Sequence, residues 1–199
     1  SDLTGTSSDI TTAKTLTENM NIFYRPDEKG GPFDITFGQA QEMLRTSNNP
    51  NGRPNSDVVR PYLNAHDIVQ SPSNTWIIDF GVDTEISEAS KYEIPVEYVK
   101  KVVKPVRDKS NNKREKEFWW LHRRPAPDMR EAVKNLTKFI VTPRVAKHRI
   151  FVYVEGATIP DSSTYIFARD DDYFFGILHS RLHEVWALKQ GTSLEDRPR

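Results

Sequence analysis

The segment Phe139 to Val154 reads FIVTPRVAKHRIFVYV, and its reading decides the fold. Phe139, Ile140 and Val141 form one apolar run, and Ile150 to Val154 form a second. Both are rich in the β-branched and aromatic side chains that fit a pleated, half-buried surface. Two strands with a tight joint between them are therefore predicted. The joint holds Arg144, Lys147, His148 and Arg149. Cations on a loose loop point anywhere, whereas cations on a joint held between buried strands are aimed. This is the leading functional cluster. Arg can grip guanine bidentately, worth about 1–3 kcal/mol of discrimination, and Lys and His more often meet phosphate. Side chains alternate along a strand, so at most two of the four are expected to reach base edges.

Beyond this segment, Glu155-Gly156 ends the second strand and Thr164 to Ala168 (TYIFA) is another strand. Asp170, Asp171 and Asp172 could bind a hard cation, but carboxylates between a strand and a helix more often cap the helix, and that is the reading taken. Tyr173 to Lys189 is the strongest helix, with Phe174, Ile177, Leu178, Leu182, Val185 and Trp186 on one face and Gly191 as its stop.

Upstream, Pro127-Asp128 opens a helix in which Met129, Ala132, Val133 and Leu136 recur at helical spacing. Phe118 to Leu121 reads as a strand that sends Trp119 and Trp120 to opposite faces, one core and one half-exposed. Asp108 to Lys116 is charged and expected to be exposed. Ser87 to Lys104 has helical spacing, interrupted at Pro95 and ended by Pro105. Trp76 to Phe80 is a strand ended by Gly81. In Val58 to Ile68, Pro61 argues against a regular central strand and for a short helical or irregular piece. Ser47 to Ser56 is almost pure turn chemistry and reads as a mobile spacer. Thr36 is placed to cap a helix from Phe37, with Gln39 completing a capping box and Ala40, Met43 and Leu44 on one face. Asn21 to Tyr24 reads as a short strand. These elements predict a mixed α+β fold: a small, mostly antiparallel sheet with flanking helices, its strands lying mainly in the second half. Residues 1–20 read as a polar arm or linker, and 21–199 as one domain.

The chain has 199 residues and no cysteine, which removes disulfides, thiolate metal sites and a cysteine nucleophile. No apolar run approaches a membrane span and no signal-peptide pattern opens the chain, so a cytoplasmic protein without a membrane partner is expected. Starting on Ser1 and ending on Arg197-Pro198-Arg199, it reads as part of a longer protein. The formal net charge is zero, yet Lys91 to Arg149 holds 17 Lys/Arg against 7 Asp/Glu, while the remainder holds 11 against 21. A central basic block between acidic ends implies one cationic face. Interleaved Phe118, Trp119, Trp120 and His122 favour a polyanion as its partner. His122, Arg123 and Arg124 are candidates for phosphate contact. Arg60, ahead of Pro61, fits a structural ion pair or a DNA ligand equally well.

Catalytic signals are few. No glycine-rich loop stands at dinucleotide or P-loop spacing, and no serine sits in a nucleophile elbow. His179 and His183 lie four apart, but Ser180 stands where a zinc-protease helix needs Glu. One imidazole partly buried and the other exposed is the preferred reading. Without nucleic acid in view, a protein-interaction domain that docks an acidic partner on its cationic face is the alternative.

The motifs VVRPYLNAHDI, WIIDFG, KPVRDK, FWWLHRRP followed by PDMREAV, FIVTPRVAKHRIFVYV and FFGILHSRLHEVWAL occur in that order. Together, from about Asn21 to the C-terminus, they resemble the target recognition domain of single-chain adenine-specific DNA methyltransferases and fused Type II restriction–modification enzymes. The resemblance implies a specificity module that binds double-stranded DNA, clamps it against the methyltransferase domain of the same parent chain, and reads the recognition sequence in the groove. It implies that S-adenosylmethionine and the flipped adenine belong to that other domain. The family's Asn-Pro-Pro-aromatic motif is absent from this chain, so the fragment is expected to carry no catalytic residue, no metal and no cofactor. Arg144, Lys147, His148 and Arg149 fall in the family's PRV-x-KHR segment, which the resemblance places near DNA. Base-reading positions are expected partly in the loops Asn111 to Lys116, which contains Arg114, and Glu155 to Ser163.

Overall fold

The computed structural model describes residues 16–46, 48–190, 193–194 and 197–198. In chain order the strands are β1 (Phe23–Tyr24), β2 (Asp34–Ile35), β3 (Val59–Leu63), β4 (Trp76–Ile78), β5 (Lys138–Pro143), β6 (Val152–Glu155), β7 (Ile159–Pro160), β8 (Thr164–Phe167), β9 (Ser193–Leu194) and β10 (Arg197–Pro198). The helices are α1 (Phe37–Arg45), α2 (Ala65–Val69), α3 (Ile86–Ala89), α4 (Glu93–Val102), α5 (Lys104–Arg107), α6 (Lys113–Glu117), α7 (Pro127–Val133), α8 (Asp172–Leu178) and α9 (Arg181–Gln190). The α+β class holds, but there are two four-stranded sheets where one was expected. The first, in the order β1-β8-β5-β6, is wholly antiparallel. The second, β2-β4-β3-β7, is antiparallel except for the β3–β7 pair. Three strands of the second sheet lie in the first half of the chain, against the expectation from composition. β9 and β10 form a separate two-stranded ribbon.

Phe139 to Val154 forms the predicted pair. β5 and β6 run antiparallel with Lys138 opposite Glu155 and Val141 opposite Val152. β5 is the inner strand, flanked by β6 and β8. Phe139 and Val141 pack with Met129, Val133 and Ile166, whereas Ile140 packs with Phe151 and Leu178. Both faces of the strand are covered, which explains an unbroken apolar run in place of alternation. The second strand starts at Val152, and Phe151 is buried just before it, against Ile140 and Leu178.

Local signals predicted α1 well. Thr36 accepts the Gln39 backbone N–H and the Gln39 side chain returns to Thr36 N–H, while Ala40 and Met43 are buried. Proline was the main source of error. Pro61 sits inside β3, between β4 and β7. Tyr62 N–H donates to Thr75 O (3.0 Å), so the position one residue earlier faces the opposite edge, where pairing with β7 begins only at Tyr62. The N–H that Pro61 lacks is not needed there. Pro95 and Pro105 lie in the first turns of α4 and α5, where backbone N–H groups have no helical partner in any case. Pro95 therefore neither interrupts α4, nor does Pro105 end the helical region.

Three further expectations are corrected. Phe118 to Leu121 is a turn after α6, not a strand. Its aromatics plug the second sheet's core: Trp120 is buried and donates Nε1–H to Thr84 O (2.8 Å), and Trp119 is half-buried beside it. The Asp108 to Lys116 segment is exposed as expected except at half-buried Ser110 and buried Glu115, the latter on α6. The turn-rich stretch before β3 is pinned rather than loose: buried Asn49 donates to Asn55 Oδ1 (2.8 Å), and Asn55 Nδ2 donates to Met43 O (2.8 Å). At the C-terminal end Asp171 caps α8 by accepting Phe174 N–H (2.8 Å), as expected. The long helix is broken at His179-Ser180, and Ser180 Oγ accepts His183 N–H (3.1 Å) to restart it. Its predicted apolar face is largely in solvent, with Leu182 84% and Trp186 51% exposed. The expected stop at Gly191 and most of the expected arm at 1–20 fall outside the described residues. Among the described residues no helix is long and apolar enough to cross a membrane.

A buried charge network joins the parts. Asp27 follows β1, Asp79 follows β4, His122 follows α6, and Arg130 lies on α7. Arg130 bridges both carboxylates, at 2.5 Å to Asp27 and 2.6 Å to Asp79. His122 is 2.8 Å from Asp27 through Nδ1 and 2.9 Å from the Ile78 carbonyl through Nε2. A carbonyl can only accept, and a carboxylate held by Arg130 is ionised, so both ring nitrogens carry protons. Burial works against that charge, but Asp27 and then Asp79 outweigh it and raise the His122 pKa. Burial likewise works to raise the Asp79 pKa, and His122 and Arg130 reverse it, holding the carboxyl below its usual range. Two anions and two cations leave the cluster neutral.

A raised folded pKa gives stability that is complete below the unfolded value of about 6.5 and lost as pH rises through the folded value. Thermal melting of the chain is therefore expected to fall across that alkaline window, and His122→Gln to flatten the dependence; parallel profiles would remove His122 as its cause. Arg130→Met strands two buried carboxylates and should cost about 3–5 kcal/mol in chemical denaturation. Two glycines should respond oppositely to alanine in the same assay. A Cβ on Gly156 would collide with the Leu136 carbonyl oxygen, so Gly156→Ala should destabilise by about 1–3 kcal/mol. Gly176, within α8 and with open space around it, should gain up to about 1 kcal/mol.

Candidate nucleic-acid interface

Much of the basic block is neutralised inside the fold. Lys91, Lys100, Lys104 and Lys134 pair with acids three or four residues away. Lys138 reaches Asp172, Arg123 and Arg124 reach Glu28, and Arg130 holds the buried network. The block's cations without an ion pair among the described residues include Lys101, Lys109, Lys113, Arg114, Lys116, Arg144 and Lys147 on the surface and Arg107 in the interior. They fall mainly in two places: the α5–α6 corner and the β5–β6 joint. Charge without an internal partner is what a polyanion can neutralise.

The joint is anchored at its first residue. Arg144 N–H donates to Ser163 O (2.8 Å), and Ser163 is itself fixed by its own N–H to Asp161 (2.8 Å) and by Ala65 N–H to its hydroxyl (3.0 Å). Lys147 and His148 are exposed, whereas Arg144 and Arg149 are half-buried. Burial lowers the Arg149 pKa. The joint therefore presents two outward positively chargeable side chains between two that are partly withdrawn, an arrangement suited to contacting an anionic surface from a fixed base.

Other candidates divide by how firmly the fold holds them. His122 is buried with both nitrogens engaged, so it is a structural residue and cannot reach a phosphate. Arg123 donates to Glu115 and, at 2.9 Å, to Glu28; these hydrogen bonds raise its pKa and make it a clamp between α6 and the chain after β1. Arg124 is 75% exposed and its pair with Glu28 is long, at 3.5 Å, so this weak contact leaves it available to a partner. Arg114 and Lys116 are exposed on α6. Arg60 forms no ion pair among the described residues; its Nε donates to Ala157 O (2.9 Å). That bond ties β3 to one of the two loops expected to read bases, and Arg60 also lines a cleft of about 550 Å³ with Arg53, Asp57, Asp79 and Tyr92.

Metal chemistry finds a poor fit. Asp27, Asp79 and His122 bring ligand atoms within 4.8 Å of one another, but the Arg130 guanidinium already bridges the two carboxylates, and a second cation would meet its charge. His179 and His183 stand on either side of a helix break, their Nδ1 atoms engaged with the Phe175 (3.0 Å) and Leu178 (2.8 Å) carbonyls and both rings against Phe151. Sequence reasoning missed Asp27, Asp79 and Arg130. Asp27 stood in an apparent turn, and the only available signal was an acid that a turn alone did not require.

No family of known sequences matches the chain, and no curated protein does. Among solved structures the fold is similar to MmeI, a Type IIL restriction–modification enzyme determined in complex with DNA. The TM-score is 0.66 at 18% identity, over 89% of this chain. The match occupies 23% of the MmeI chain, so the present chain corresponds to less than a quarter of that enzyme's length. The chain thus has the fold of one segment of a restriction–modification enzyme.

Proposed function

We propose that this chain is a sequence-specific recognition module for double-stranded DNA within an adenine-N6 methyltransferase or a fused restriction–modification enzyme. In this reading it positions DNA for methylation by a catalytic domain outside the chain, where S-adenosylmethionine binds. The observation that carries the proposal is the likeness over 89% of the chain to part of an enzyme solved with DNA. The β5–β6 joint supports it: Lys147 is exposed and Arg144 half-buried, neither has an ion pair among the described residues, and both sit on a joint anchored to Ser163. Arg144, Lys147 and His148 at the joint, with Arg114, Lys116 and Arg124 elsewhere on the surface, supply backbone contacts. Arg60 and the loop it touches are placed to contribute to sequence reading, because phosphate contacts alone carry no sequence information.

Binding of the chain to a pool of random duplexes, followed by sequencing of the retained fraction, should return an enriched motif. Adenine methylation mapped in cells that express the parent protein should fall on the same motif. Lys147→Ala and Arg144→Ala should each weaken duplex binding and reduce the slope of log K against log salt by about 1. Retention of duplex no stronger than of heparin, with no enriched motif, would defeat the reading.

A further inference from the structure

Arg107 is 2% exposed and is the largest side chain in the fully buried set. Its guanidinium lies over the Phe33 ring at 5.2 Å and donates through one terminal nitrogen to Lys29 O at 2.8 Å. No carboxylate reaches it within ion-pair distance among the described residues, and its Nε has no hydrogen-bond partner. Burial lowers its pKa, and nearby Glu115 only partly offsets this. Glu115 is already engaged: one oxygen accepts from Arg123 and the other from the Ser110 hydroxyl at 2.7 Å. A buried cation with an unmet donor is costly unless something else meets it.

Beside Arg107 is a recess lined also by Asn112, Arg114, Glu115, Phe118, His122 and Arg123. His122 is balanced within the buried network by Asp27 and Asp79, and the three guanidinium groups outnumber the one carboxylate, Glu115, so the recess is net positive. Arg114 stands at its exposed side and has no ion pair among the described residues. The enclosed space is about 10 Å³, close to the room one water oxygen needs and too small for a whole phosphate. We infer that this recess is an oxyanion site that takes one non-bridging oxygen of a backbone phosphodiester, with Arg107 behind it and Arg114 over the rest of the phosphate. That assignment to DNA rests on the function proposed above. It adds a phosphate contact on the α5–α6 corner, separate from the β5–β6 joint. It makes Arg107 a ligand-facing residue and not only a core one.

Two arms test it with the whole chain. In the first, melting temperature is followed as inorganic phosphate replaces chloride at constant ionic strength. The wild type should be stabilised, Arg114→Ala less so, and Arg107→Met, which keeps the stem against Phe33, not at all. In the second, duplex affinity is measured over a salt series. Arg107→Met should bind all sequences several-fold more weakly, with the log–log slope reduced by about 1. No phosphate effect on the wild type overturns the site, as does an unchanged salt slope in folded Arg107→Met. If Arg107→Met does not fold, the exposed Arg114→Ala decides: a phosphate response equal to wild type overturns the site, and a reduced one supports it. A wild type stabilised by phosphate but unable to bind duplex upholds the oxyanion site while removing DNA as its source.

Discussion

The rest of the fold depends on four side chains closing a neutral circuit in its interior. Arg130 can bridge Asp27 and Asp79 only if α7 lies across the ends of segments that leave two different sheets. His122 adds the second positive charge and also receives its orientation from the Ile78 carbonyl. Each carboxylate would be expensive to bury alone, and each cation likewise. The four are tolerated because none is left without an opposite. Apolar packing can be satisfied by several nearby arrangements, whereas this network is satisfied by one relative placement of sheets and helix. The network therefore acts as a registration device between layers whose cores are otherwise separate clusters.

Surface electrostatics follow from the same economy. A basic block of 17 Lys and Arg suggests a uniformly cationic face. Folding divides it. Cations on helices take acids a turn away, Arg123 is clamped by Glu28 and Glu115, and Arg130 goes inward. What remains unmatched is concentrated at one joint between strands and one corner between short helices. Charge that survives internal pairing says more about a partner than charge counted along a sequence, because surface ion pairs of this kind are weak but still reduce the local field.

Legibility in the sequence followed the range of the interactions involved. The Thr36–Gln39 capping box lies within three residues, and both of its partners could be named in advance. The β5–β6 pair was visible for a similar reason: two apolar runs on either side of one turn admit few other arrangements. Pro61 misled because its effect depends on which edge of β3 its missing N–H would face, and that is set by partners elsewhere. The aromatic run at Phe118 to Trp120 misled because bulky rings that plug a core from a turn resemble those on a strand. The turn carrying Arg144, Lys147 and His148 lies between β5 and β6 as read; His122 was placed on the wrong side of the surface, because its partner Asp27 stands 95 residues earlier in the chain. Nothing within reach of either residue announces that they meet.

The chain weaves between its sheets, and this governs how it can come to be folded. β1 pairs with β8, so Phe23 waits for Phe167, and β7 crosses back to lie beside β3 before β8 returns to the first sheet. Neither sheet can be completed from one contiguous part of the sequence. Pairings that span so much chain must close long loops before any contact rewards them, which slows folding and leaves early strands unpaired during synthesis. A break inside the domain would leave both fragments with open sheet edges, whereas exchange of the surface loops would not. Evolution of new contacts in such a scaffold is confined to its connections, since its strands are committed to one another across the full length of the chain.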